Sequence, residues 1–147
     1  MNAALFSALA FLGGVFIAVQ APTNAFLAKA SGSAIAAALI SFAIGTAALA
    51  ALLLGTGGVR ITPALRELPW YAWLGGLYGA FFVAIAALVA PRIGVGALLT
   101  AAVAGQLLAA LVLDHYGLLG LPKQPANAMR ILGLAMVFTG AILVRRG

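Results

Sequence analysis

Cysteine is absent from this chain of 147 residues, histidine occurs once, and Asp and Glu together number 2. The first absence excludes disulfides and thiolate metal sites. One His and two carboxylates are too few ligands for almost any metal cage, so neither a metal nor another cofactor is expected. No nucleophile–base–orienter set is visible, which makes an enzyme the least supported class of function. Charge of either sign is scarce, at 7% of residues, against about 25% in a soluble domain.

What fills the chain instead is apolar side chain, 65% of residues. A water-soluble fold of this length could not hide so much of it, because small domains bury only part of their surface. Lipid has to be the solvent. The net charge of +6 and pI near 11.0 do not indicate nucleic acid. The Lys and Arg residues stand singly or in pairs among apolar runs, with no stripe to follow a phosphate backbone. Isolated cations of this kind belong at membrane–water boundaries.

The apolar runs are separated by short segments that hold nearly all the charge and proline. The first runs from Ala3 to Val19 and continues less purely through Gln20, Pro22 and Asn24 to about Ala28. No basic residue precedes it, so it reads as a retained helix and not a cleaved signal. Lys29, Ser31, Gly32 and Ser33 make a turn. The second run, Ala34 to Leu54, is closed by Gly55, Gly57 and Gly58, and a polar loop with Arg60, Pro63, Arg66, Glu67 and Pro69 follows. The third, Trp70 to Ala90, is ended by Pro91 and Arg92. The fourth, Ile93 to Leu113, is ended by Asp114 and His115, and a loop with Pro122, Lys123, Gln124 and Pro125 leads to the fifth, Met129 to Val144. About 20 residues at 1.5 Å rise cross a hydrocarbon core of about 30 Å. Four runs meet that length, and the last does so if Arg130 snorkels. The runs are apolar on every face, unlike the alternating strands of a membrane barrel. The expected fold is therefore an all-α membrane protein of five transmembrane helices in a single domain, residues 1–147.

Gly and Ala within the runs permit close helix contact. Gly75 with Gly79 and Ala101 with Gly105 are small-xxx-small pairs, and Gly133 and Gly140 lie one heptad apart. Packing within the chain accounts for them more readily than association between chains does, since such pairs are common by chance in Gly-rich helices. Five spans put the termini on opposite sides. Arg60, Arg66, Lys123 and Arg130 then fall on one side, and Lys29, Arg92, Arg145 and Arg146 on the other. The positive-inside rule gives no preference. Either one orientation wins through span hydrophobicity, or the chain inserts both ways and opposed copies pair. An antiparallel pair would supply the inverted symmetry on which many transporters are built.

Polar groups inside lipid are expensive and are the candidates for function. Gln20 and Asn24, four residues apart, share a helix face. Pro22 between them cannot donate to the carbonyl of Ala18, so a kink is expected there, and Gly13 and Gly14 further along could let a ligand approach the backbone. These amides either line a substrate site or tie helix to helix. Gln106, deep in the fourth run, has to face Gln20, Asn24, a substrate or a watery cleft. Ser41 and Thr46 are weaker candidates, because hydroxyls bond back to their own helix. Trp70 and Tyr71 suit an interfacial belt. Trp73 and Tyr78 lie deeper, where they could stack on a flat or cationic substrate. Asp114 and His115 could relay protons or couple an ion, or be structural, with Asp114 pairing to Arg130. No carboxylate occurs mid-span, which argues against proton-coupled exchange of cations and favours a neutral or anionic small molecule.

Several of these residues are shared with a known family. The run Gln20-Ala-Pro-Thr-Asn24-Ala-Phe-Leu, Ser41-Phe42 with Gly45, Trp73-Leu-Gly75-Gly76 with Gly79, Pro91-Arg92 with Gly94, Gly105-Gln106 leading to Asp114, His115 and Gly117, and Arg130 with Gly133, Gly140 and the terminal Arg pair resemble the YdcZ-like family. That family is a five-helix branch of the drug/metabolite transporter superfamily, and the resemblance spans the chain. It implies a half-size transporter of the inner (plasma) membrane. In such families five-helix members act as antiparallel homodimers, as pairs of opposed paralogues, or as fused ten-helix chains. The balanced charge favours the homodimer. The partners expected are thus a second, oppositely oriented copy, the bilayer and a small-molecule substrate, with no nucleic acid. The leading function is secondary transport by alternating access, and a small ion channel or a non-transporting membrane subunit are the alternatives.

Overall fold

In a computed structural model of the chain, residues 3–58 and 63–146 are described, and all the regular structure among them is helical. Arg60, counted above with the cations of one side, lies outside the described residues. Helix α1 covers Ala3–Ser31 and α2 Ala34–Gly55. A 3₁₀ turn at Pro63–Arg66 and another at Trp70–Leu74 precede α3, Gly75–Ile93. Then come α4, Val95–Tyr116, a 3₁₀ turn at Leu118–Gly120, and α5, Ala128–Arg146. Counting the second 3₁₀ turn with α3, five helices are long and apolar enough to cross a bilayer. Large apolar side chains stand open on them: Phe11 and Phe26 on α1, Leu54 on α2 and Met129 on α5 are each more than three-quarters exposed, as suits spans surrounded by lipid or by other spans.

The ends of the helices follow from local chemistry. Ser33 caps α2 by accepting the Ala36 N–H at 3.2 Å, satisfying one of the donors that a helix start leaves orphaned. At the other end of α2, Gly58 N–H reaches the Leu53 carbonyl at 2.8 Å and Gly57 N–H the Leu54 carbonyl. This is a Schellman closure, and Gly57 at φ +96° supplies the left-handed turn it needs. Asn127 caps α5, its Oδ1 accepting the Arg130 N–H at 2.9 Å.

Two boundaries differ from the sequence expectation. Pro91 does not end the third helix, which continues through Arg92 to Ile93. The break falls at Gly94, whose φ of 81° and ψ of 156° belong to a region open essentially to glycine alone. Proline forbids its own N–H bond but can be followed by another half-turn of helix, so the glycine decides where the chain turns. The third span also does not begin as an α-helix at Trp70, because residues 70–74 form a tighter 3₁₀ turn.

The chain divides into two compact units, Met1–Pro91 and Arg92–Gly147. In the first, α1 and α2 pack as a hairpin about the Gly32–Ser33 turn. Buried positions there are nearly all small: Ala21, Ala37, Ala38, Ala86, Ala87 and Ala90, with Val83. Small side chains let backbones approach, and van der Waals contact is what holds helices together where lipid is as apolar as leucine. Gly79 of α3 shows this most directly, since a Cβ there would lie 3.2 Å from Cζ of Phe42 on α2. In the second unit α4 and α5 pack as a hairpin, and a Cβ on Gly96 would lie 3.7 Å from Val144. The other small-residue positions, Gly75, Gly105, Gly133 and Gly140, have nothing within 4 Å of a built Cβ.

Gly79→Val should therefore lower the thermal midpoint of the purified protein by several degrees, because overpacking the Phe42 ring costs about 1–3 kcal/mol. Gly133→Val, which meets nothing, should lower it less. Equal shifts in the two variants would remove the Gly79–Phe42 contact as a cause.

Candidate functional site

Helix α1 stays helical through its polar turn, with Pro22 inside it. Thr23 turns its hydroxyl back to the Val19 carbonyl at 2.9 Å, while Pro22 has no N–H to offer the Ala18 carbonyl. Gln20 is half-buried and Thr23 exposed, whereas Asn24 is only 2% exposed. The Asn24 carboxamide has no hydrogen-bond partner among the described residues, and Gln20 and Asn24 do not bond to each other. No side-chain nitrogen or oxygen is at once sealed from contact and unpaired, so the little surface Asn24 keeps is at its polar atoms. A carboxamide offers two N–H donors and an oxygen with two lone pairs, and leaving them unmade costs free energy. Asn24 is thus a buried group with its bonding capacity in reserve.

Ser41 of α2 stands at the same depth. Asn24 lies eight residues before Gly32, and Ser41 eight residues after Ser33. At 1.5 Å per residue each is roughly 12 Å from the turn, within the apolar span of its helix. Ser41 is half-buried and Thr46 exposed. The back-bond expected of these two hydroxyls is not made: among the described residues neither side chain has a hydrogen bond, whereas Thr23, Ser31, Thr100 and Thr139 bond back to their own helices. A hydroxyl rotor that is not committed to its helix can serve an outside partner.

The remaining candidates are distributed differently. Trp73 is 64% and Tyr78 62% exposed, so their faces are open and not walled in by the chain. Trp70 and Tyr71 meet edge to face at 6.2 Å. Gly13 and Gly14 are exposed with nothing within 4 Å of a built Cβ. Gln106 is exposed on α4.

Asp114 and His115 are engaged in joining α4 to α5. Arg130 forms an ion pair with Asp114 and donates to the Gln124 carbonyl at 3.1 Å. Gln124 N–H in turn reaches the Asp114 carbonyl at 2.7 Å. His115 Nδ1 accepts the Ala126 N–H at 3.0 Å, which places any ring proton on Nε2, and its ring meets Tyr116 edge to face. Gly117, at φ 65°, turns the chain out of α4 into this connection. The ion pair had been readable from sequence as an alternative. The roles of Gln124, Ala126 and Asn127 had not, because two are backbone contacts across a proline-containing loop. The Asn127 cap had a signal in its position one residue before the last helix.

Between α4 and α5 lies a groove of about 300 Å³, lined by Leu99, Thr100, Val103, Val137 and Gly140 among others. The Thr100 hydroxyl is spent on the Gly96 carbonyl. The groove offers no polar group to a polar ligand, so the hydrogen-bonding candidates stay with α1 and α2.

Five helices long and apolar enough to cross a bilayer suit a multi-pass membrane protein, and comparison by family agrees. Residues 5–143 match the model of the family described as "Putative inner membrane exporter, YdcZ". The chain belongs to that family. Neither curated proteins nor solved structures match it. The YdcZ assignment places the protein in the inner membrane as a multi-pass, transporter-like protein and not in an enzyme family.

The α4–α5 clasp yields a prediction. The Arg130 and Asp114 side chains are 33% and 27% exposed, so solvent screens the pair. A double-mutant cycle with Arg130→Gln and Asp114→Asn should return a coupling of about 1 kcal/mol or less in thermal unfolding, weaker at high salt. A coupling several times larger would mean that the pair is more deeply desolvated than its exposure indicates.

Proposed function

We propose that this YdcZ-family protein is a secondary carrier that exports a small neutral or anionic metabolite by alternating access, and that two copies in opposite orientation form the working unit. The observation that carries the reading is Asn24, 2% exposed and without a hydrogen-bond partner among the described residues. A buried amide left unpaired in lipid costs too much to be kept for packing alone. With Gln20 one turn away and Ser41 the same distance from the turn, it gives α1 and α2 a polar patch within their spans, where transporter sites lie.

The antiparallel pair is supported by two features. Five spans leave an odd half of an inverted repeat, and the cations divide evenly between the two sides, so neither orientation is favoured by charge. Gln106 fits the same scheme. Exposed on α4, its amide would face hydrocarbon in a lone chain, and an opposed copy would cover it or join it to a shared crevice. Trp73 and Tyr78, open on the surface of the chain, would meet substrate only where a second copy closes over them. Asp114 and His115 are tied into the α4–α5 connection, and any part they take in ion coupling would require opening that connection.

Proteoliposomes containing the purified protein should show saturable, slow flux of a ligand found by thermal-shift screening, since a ligand stabilises the state it binds. Gln20→Ala and Asn24→Ala should each reduce that flux about 5- to 30-fold, the range of one or two lost hydrogen bonds. Unsaturable, fast flux would make the protein a channel. A C-terminal tag should be labelled from both faces of the membrane, and labelling from one face alone would end dual insertion.

A further inference from the structure

Between their ends the spans hold no acidic or basic side chain: Lys29, Arg92, Asp114, His115, Arg130, Arg145 and Arg146 all stand in or near end turns. Residues 3–28, 34–58, 68–91, 93–113 and 131–144 contain no Asp, Glu, Lys, Arg or His. Asp114 and Arg130, at the edges of two of these stretches, neutralise each other. This holds for any arrangement of copies, because a second copy brings the same spans. An ion inside a span is costly by several kcal/mol at least unless a counter-charge, a helix terminus or bare backbone carbonyls face it. What the chain keeps there is an amide.

We infer that the cargo is electrically neutral and is held through a paired donor and acceptor read by Asn24, so that its transport does not respond to membrane potential. This rests on the carrier reading above and narrows its substrate class. A carboxamide presents N–H and C=O side by side in one plane. Its best partner is another neutral edge of the same kind: an amide, a urea or a nucleobase edge. A carboxylate could use the N–H but would set its charge against the Asn24 oxygen, and an ammonium could use the oxygen but would crowd the N–H groups. Gln20, half-buried one turn away, offers a second edge of the same type. Neutral hydrogen bonds also explain why the site can be so closely enclosed, since desolvating a neutral amide costs far less than desolvating an ion.

Three probes of one shape separate the possibilities: nicotinamide (neutral), nicotinate (anionic) and 1-methylnicotinamide, methylated on the ring nitrogen (cationic). With the full-length protein in detergent, nicotinamide should raise the thermal midpoint in a saturable way and the two ions should not. Asn24→Leu keeps the volume but removes the amide. It should raise the midpoint of the ligand-free protein, because an unpaired buried polar group is lost, while weakening nicotinamide at least tenfold. A lower ligand-free midpoint in Asn24→Leu would mean that Asn24 bonds to protein, which overturns the inference. So would stabilisation by either ion, or by none of the three. In proteoliposomes, nicotinamide uptake should be equal with and without a potassium–valinomycin potential. Uptake of an ion driven by that potential would refute the neutral cargo and leave the carrier standing. Stabilisation by nicotinamide without any uptake would keep the site and refute the carrier.

Discussion

A bilayer core has no water to satisfy a backbone amide or hydrate a charge, and the whole design of this chain follows from that. Every spanning segment must bond its own backbone, so each is a helix. Every charge must sit at a boundary or be paired, so Lys29, Arg92, Arg145 and Arg146 stand at helix ends and Asp114 pairs with Arg130. The same constraint makes exceptions informative. Thr23, Thr100 and Thr139 return their hydroxyls to their own helices. Asn24 does not return its amide to anything, although it is more enclosed than any of them.

Packing follows the constraint at one remove. Since leucine gains little by leaving lipid for protein, contact depends on close approach, and the buried positions are largely alanine. The Gly79–Phe42 contact and the Gly96–Val144 contact are two ways of making that approach. Large apolar residues are left on the outside, inverting the usual pattern of a soluble domain. The α4–α5 connection is the most polar part of the described chain, with an ion pair, a histidine acceptor and an asparagine cap within a few residues. It holds two spans together at their watery ends and leaves the interior free of charge.

That separation of roles bears on transport. Charges mark the boundaries and join α4 to α5 there, while the apolar stretches between carry amides and hydroxyls as their hydrogen-bonding groups. A carrier so built would read its cargo by hydrogen bonding and shape, without a fixed charge moving through the field. Membership of the family described as "Putative inner membrane exporter, YdcZ" is compatible with many cargoes, and the site proposed on α1 and α2 would narrow them.

The sequence by itself determined the solvent, the number of spans, the family and the residues worth watching, because hydropathy and run length are summed over many side chains and tolerate local error. Gln20, Asn24 and Ser41 stood out in it as polar groups in apolar runs. Only the tertiary structure distinguished them: Asn24 enclosed and unpaired, Gln20 and Ser41 half-covered, Gln106, Trp73 and Tyr78 open. Burial and pairing depend on which helix faces which, and spans that are apolar all round carry no amphipathic stripe to announce it. The break at Gly94 and the clasp about Asp114 and His115 were decided in the same way, by backbone angles and contacts between residues distant in the chain.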